Sequence, residues 1–229
     1  NYLSKYINGT YELDAKYYNA TAYVKLKNTA KAVKYLTDVH LSGISSFYED
    51  ATIELARLFY FELKNYDSAK KYFKILYKTA ANNEIQSEAL RGLVRSYYQL
   101  KDYATADTAA RELLSRKGIS QDDKTIAQLV LGKSQQAASD CDAAIVTYTA
   151  ISKVNKSVWG AEARYETAAC YFLSGQLEQS EKAALAVIKE TGAYDYWVEK
   201  SYLLLGDIFM LQKDYFNAKA TFESVFKNS

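Results

Sequence analysis

Six segments of this chain share one frame. A small residue recurs at Ala32, Ala69, Ala106, Ala144, Ser180 and Ala218, at steps of 36 to 38 residues. Nine residues before it stand Tyr23, Tyr60, Tyr97, Gln135, Tyr171 and Phe209, and seven after it Val39, Leu76, Leu113, Ile151, Val187 and Val225. A unit this short cannot bury its apolar face alone, so it must stack on its neighbours. The repeat therefore predicts a helical solenoid and argues against a set of separate globular cores.

Within each unit, apolar residues recur at three- and four-residue steps, the mark of an amphipathic helix. Each unit is halved by a short polar break, such as Lys64-Asn65, Lys101-Asp102, Ser174-Gly175 or Lys213-Asp214. Breaks this short predict antiparallel neighbouring helices. A second small column (Ala20, Gly132, Ala168, Gly206) lets the paired backbones approach closely. Arg57 and Val94 interrupt that column, which predicts wider crossings in units two and three. The longer junctions at 40–50 and 79–87 predict an extra helical turn or a looser joint. The absence of proline and the presence of only nine glycines suit a mostly helical chain.

The chemistry that composition leaves open is narrow. Lysine and arginine nearly balance aspartate and glutamate at net +2, giving no electrostatic reason for nucleic acid as partner. Nor does any run approach the 18 apolar residues of a membrane span. His40 is the only histidine, which excludes a histidine triad or a multi-histidine metal site. Its place near a helix end mildly favours a positive charge. Cys141 and Cys170 fall at packing positions and are read as small hydrophobes, not as a disulfide or half a zinc site. Glu162 and Glu166, one helical turn apart, are read as a solvated face. Asn-x-Ser/Thr triplets begin at Asn8, Asn19 and Asn155, and Asn19 lies inside an expected helix. No phosphate-cradling glycine run is present. These readings predict no enzyme activity, no cofactor and no metal.

The columns of small, aromatic and aliphatic residues resemble the tetratricopeptide repeat, most fully in the last unit with Leu205, Gly206, Phe209, Tyr215, Ala218 and Phe222. The resemblance covers residues 13–229 and implies an all-α, right-handed superhelical solenoid of about six antiparallel helix-turn-helix repeats. It is read as one array over 1–229, with a partial helix at 1–9 and repeats starting near 13, 50, 87, 125, 161 and 199. An opening half-unit and an uncapped sixth unit lead to the expectation of a fragment of a longer repeat protein. The uncapped end would offer itself to neighbouring repeats or to self-association.

The resemblance further implies that first helices line a concave groove for a protein or peptide. It assigns Tyr17, Thr21, Leu58, Phe61, Arg91, Arg95, Tyr98, Lys133, Tyr165 and Phe172 to that groove, with Lys200, Leu203, Asp207, Met210 and Leu211 in the last unit. The lysine and asparagine set by which one branch of the family holds acidic chaperone C-termini is absent, its slots holding Tyr17, Thr21, Glu54, Leu55, Glu88 and Gly92. The expected function is a non-catalytic interaction scaffold. A peptide-sensing module, or the substrate-holding arm of an enzyme whose catalytic domain lies elsewhere, are the alternatives. Units five and six are similar to repeats of bacterial envelope proteins, which tilts the expected location toward the periplasm or an outer-membrane anchor.

Overall fold

The computed structural model describes residues 9–43, 45–191 and 194–228. All but the last residue of the expected partial helix at 1–9 lies outside them. Every regular element among the described residues is a helix: α1 (Glu12–Lys25), α2 (Thr29–Ser42), α3 (Tyr48–Arg57), α4 (Tyr66–Thr79), α5 (Asn83–Leu100), α6 (Tyr103–Ser115), α7 (Gln121–Ala137), α8 (Cys141–Val154), α9 (Val158–Leu173), α10 (Leu177–Glu190), α11 (Asp195–Leu211) and α12 (Tyr215–Asn228). They form two compact units, Asn1–Asp102 with α1–α5 and Tyr103–Ser229 with α6–α12. In each, consecutive helices pack on one another; in the second, the first helices α7, α9 and α11 also touch in turn.

The turn inside each repeat uses one left-handed residue, six times over, and in four of the six a side-chain cap follows it. Five residues before the small column the backbone enters the left-handed region, at Lys27, Lys64, Lys101, Ser139, Gly175 and Lys213. The next residue starts the second helix: side chains of Asn28, Asn65, Asp140 and Asp214 each accept the backbone N–H three residues on. A left-handed residue followed by such a cap reverses the chain with its end groups satisfied. Only one of the six left-handed residues is glycine. An L side chain there is disfavoured by about 1–2 kcal/mol, and glycine gives back part of that through its larger unfolded-state entropy. Lys101→Gly, whose side chain is exposed, is therefore expected to stabilise the first unit by about 0.5–1 kcal/mol. A urea midpoint that is unchanged or lower would show that the turn is not strained by its lysine.

The second repeat departs from the expected register. Residues Leu58–Glu62 continue α3 as a π-helical turn, with Leu63 N–H donating to Leu58 O. In the first repeat Asn28 N–H reaches back to Tyr23 O, whereas in the second Asn65 N–H reaches one residue further, to Phe59 O. One extra residue is thus accommodated before the turn, and everything upstream slips by one. Ala56, fully buried, takes the small-column place expected of Arg57. Phe59 stacks on Tyr72 at 5.6 Å just as Tyr23 stacks on Tyr35 at 5.8 Å. The expected break at Arg57 is therefore a register effect. Val94 does occupy its column, fully buried.

Small residues elsewhere receive rings. Gly132 on α7 faces Tyr148 of α8, Gly206 on α11 faces Phe222 of α12, and Gly92 on α5 faces Phe73 of α4. At the buried crossing of α9 and α10, Ser180 takes the small place and donates its hydroxyl to Ala168 O at 2.8 Å. The long junction at 79–87 is absorbed as extra length of α5, an 18-residue helix capped by Asn82, whose side chain accepts from Glu84 and Ile85.

Candidate partner-binding surface

In the first unit, the expected groove residues are largely engaged with one another. Tyr17 stacks on Phe47 at 4.3 Å, and the Thr21 hydroxyl donates to Tyr17 O. Leu58, expected in the groove, is only 6% exposed, because the π-helical turn rotates it into the core. Arg57 takes the outward place instead. Its guanidinium grips both carboxylate oxygens of Glu88 at 2.8 and 2.9 Å and reaches Glu54 at 3.2 Å, which raises its pKa, the Glu88 bond contributing most. The i→i+5 signal that would have placed Arg57 here is not visible in residue type. Phe61 is exposed and packs edge-on to Tyr60. Arg91, Arg95 and Tyr98 are half-buried on α5. The charge of Arg95 lies close enough to act on Tyr60, whose hydroxyl also bonds with Gln99 and whose pKa is raised chiefly by burial.

The second unit has a different floor. Lys133 of α7 holds Glu162 at 2.8 Å and Glu166 at 2.9 Å, both on α9, with side chains only 11%, 3% and 12% exposed. The reading of Glu162 and Glu166 as a solvated face is thereby overturned: neighbouring first helices pack closely enough to cover them. Burial opposes the lysine's charge, but the two carboxylates outweigh it and raise the pKa above its ordinary value. The Tyr103 ring lies 5.5 Å from the same ammonium. Beneath, the fully buried Tyr148 donates its hydroxyl to Gln136 Oε1 at 3.0 Å, and burial, then Glu166, pushes its pKa up.

Beyond this triad the surface turns aromatic. The Lys200 ammonium lies 5.1 Å from the ring centre of Tyr165, 5.4 Å from Tyr196 and 5.7 Å from Trp197. Tyr165 comes from α9 and the other two rings from α11, so the cage exists only because α9 and α11 are adjacent. Three ring faces attract a cation electrostatically. No carboxylate among the described residues lies within ion-pair distance of Lys200. Along the same stripe of α11 follow Leu203, Met210 and Leu211, all exposed, with exposed Leu173 at the end of α9. Phe172, expected beside them, packs instead with Leu204, Leu205 and Ile208. Sequence reading placed Lys200 and Tyr165 on this face but missed Tyr196 and Trp197, which precede the first aligned column.

The residues weighed for chemistry serve packing. His40 donates Nδ1–H to Thr52 Oγ1 at 2.8 Å, since the Thr52 hydroxyl is spent on Tyr48 O. It stacks on Tyr48, and burial together with the Lys71 charge lowers its pKa, reversing the expectation of a favoured positive charge. Cys170 is buried beside Cys141, both are free thiols, and burial pushes the Cys170 pKa up, away from a reactive thiolate. Among the described residues there is no cluster of three ligating side chains, and no helix is long and apolar enough to cross a membrane.

Comparison with known proteins agrees with this geometry. Residues 200–229, covering most of α11 and all of α12, match the tetratricopeptide repeat family model. Solved structures share the fold at low identity. MamA from Desulfovibrio magneticus RS-1 is 18% identical with a TM-score of 0.61, over 78% of this chain and 93% of that one. PilW, a type IV pilus biogenesis factor, is 18% identical with a TM-score of 0.59, over 96% and 94%. A tetratricopeptide repeat protein from Parabacteroides merdae ATCC 43184 is 14% identical with a TM-score of 0.55, over 94% and 92%. No curated protein matches the chain by sequence. Residues 200–229 are thus a tetratricopeptide repeat by sequence, and the chain shares its all-α fold with solved tetratricopeptide repeat structures.

Proposed function

We propose that the first-helix face of the second unit binds a segment of a partner protein that carries an acidic side chain next to apolar ones. The observation that carries this is Lys200: a cation held by three rings and left without an anionic partner among the described residues. A carboxylate arriving there gains a charge-assisted bond in surroundings already partly dried by the rings. Leu173, Leu203, Met210 and Leu211 form the adjoining apolar contact, and exposed apolar groups gathered on one face are what partner sites present. Lys133 has no such capacity to spare, since Glu162 and Glu166 already hold it. The setting we propose is bacterial envelope assembly or maintenance, supported by the likeness of the last two repeats to envelope-protein repeats and by PilW's role in type IV pilus biogenesis.

A random 12-residue peptide library displayed on phage tests the reading. Enriched peptides are expected to place Asp or Glu beside Leu, Phe or Met. Lys200→Glu is expected to weaken them at least about tenfold, the loss of one charge-assisted contact, while lowering stability only by the roughly 0.5–1 kcal/mol of the ring contacts. Enrichment of basic peptides, or full binding by the variant, would overturn it.

A further inference from the structure

The chain has two cysteines in 229 residues, and the fold brings them together. Both stand in columns that meet where one hairpin packs on the next. Ten residues before the small column, repeats three to six place Ser96, Ser134, Cys170 and Ile208, all buried. Three residues before it, repeats two to five place Tyr66, Tyr103, Cys141 and Leu177, all partly exposed. Leu177 of the fifth repeat packs against the cluster that holds Ile208 of the sixth. One repeat earlier the same two places belong to Cys141, the first residue of α8, and Cys170, near the end of α9. These helices pack on each other, and the two thiol side chains interact directly. Column by column, the other repeats pair Tyr66 with Ser96, Tyr103 with Ser134 and Leu177 with Ile208. Packing at this contact is thus met elsewhere without sulfur, and does not by itself call for two thiols.

We propose that Cys141 and Cys170 are a disulfide-forming pair that ties the fourth repeat to the fifth. Access to it is one-sided. Cys170 is fully buried, whereas Cys141 is partly exposed at the head of its helix, so an incoming disulfide R–S–S–R meets Cys141 first. The Cys141 sulfur, having lost its proton to solvent, attacks one reagent sulfur; the S–S bond breaks and one thiolate leaves to be protonated. Cys170 then loses its proton, and its sulfur displaces the second thiolate from the mixed disulfide on Cys141. Two protein thiols are oxidised, and one reagent disulfide is reduced to two thiols. Burial, which raises the Cys170 pKa, keeps that thiol from reacting alone and makes its displacement the slower step. Glu166 lies one turn before Cys170 on α9, and its charge acts on that thiol. The bond therefore fastens the helix that carries Glu162 and Glu166 to its neighbour. An oxidising compartment such as the periplasm forms the bond, and a reducing one keeps both thiols. Lys200 and its rings take no part, so this proposal and the partner-binding one fail separately.

The folded chain, first reduced and then incubated with excess oxidised glutathione, tests the proposal. Titratable thiols are expected to fall from two per chain to none. The intact mass should drop by two hydrogens, and a non-reduced digest should join the peptides that contain Cys141 and Cys170. Closing a loop of about thirty residues is expected to raise the urea midpoint of the Trp159 and Trp197 transition by about 1–2 M over the reduced chain. Cys141→Thr and Cys170→Ser serve as controls, since Thr29 and Ser96 already hold those columns in other repeats. Neither variant should gain stability on oxidation, and Cys170→Ser should keep one glutathione on Cys141. Four results overturn the proposal: two thiols still free, a glutathione adduct on wild-type Cys141 that never resolves, a disulfide between two chains, or a cross-linked chain whose urea midpoint has not moved.

Discussion

Lys133→Met is expected to cost the second unit about 3–5 kcal/mol, because it leaves the carboxylates of Glu162 and Glu166 buried side by side with no cation between them. Against a whole-domain stability of about 5–15 kcal/mol, that is a third or more. The loss should appear as a lower urea midpoint for the transition reporting on Trp159 and Trp197, which both lie in this unit. Replacing all three charges together, as Lys133→Met/Glu162→Leu/Glu166→Leu, is expected to recover most of it, since an apolar set of similar volume has no charge to desolvate. If the single and triple variants melt alike, the triad is not a coupled unit. The pH dependence follows from the raised lysine pKa. A folded-state pKa above the unfolded one contributes stability that is complete below the unfolded value, about 10.4, and is lost as pH rises through the folded value. The stability that the lysine's charge gives the wild type is therefore expected to stay constant from neutral pH to about 9, and to fall only above roughly 10.4.

Gly132→Ala is the second large effect. A Cβ at this position would lie 2.5 Å from Cε1 of Tyr148. The ring has no room to retreat, being fully buried with its hydroxyl held by Gln136. Either α7 and α8 separate or the Gln136 bond breaks, at about 1–3 kcal/mol. Tyr148→Leu alone leaves a cavity and is destabilising in its own right. In combination, the smaller side chain makes room for the new methyl, so the double variant should be more stable than the sum of the singles by at least about 1 kcal/mol. Strict additivity would mean that the ring moves aside freely and that the glycine is not what brings these helices together.

The helices, their pairing and their turns were legible in the sequence because the columns that make them are local. An apolar residue every three or four positions, a small residue at the crossing and an Asn or Asp at the turn each act within one hairpin. What failed was reading that assumed uniform register or ignored neighbours. Arg57 and Leu58 were misplaced because a π-helical turn changes hydrogen-bond spacing without changing composition. Glu162 and Glu166 were read as solvated because their partner stands some thirty residues upstream on another first helix. Tyr196 and Trp197 reach Lys200 from one turn earlier on its own helix, but Tyr165 joins them only because the preceding repeat is brought alongside.

The period alone sets a repeating helical hairpin, and with it the all-α solenoid class of the fold. The period forces the fold, since no unit can bury its face alone. Only the tertiary structure decided which charges on the first helices are spent and which are free to meet a partner. That difference depends on distances between side chains one repeat apart, and a one-dimensional period carries no measure of them.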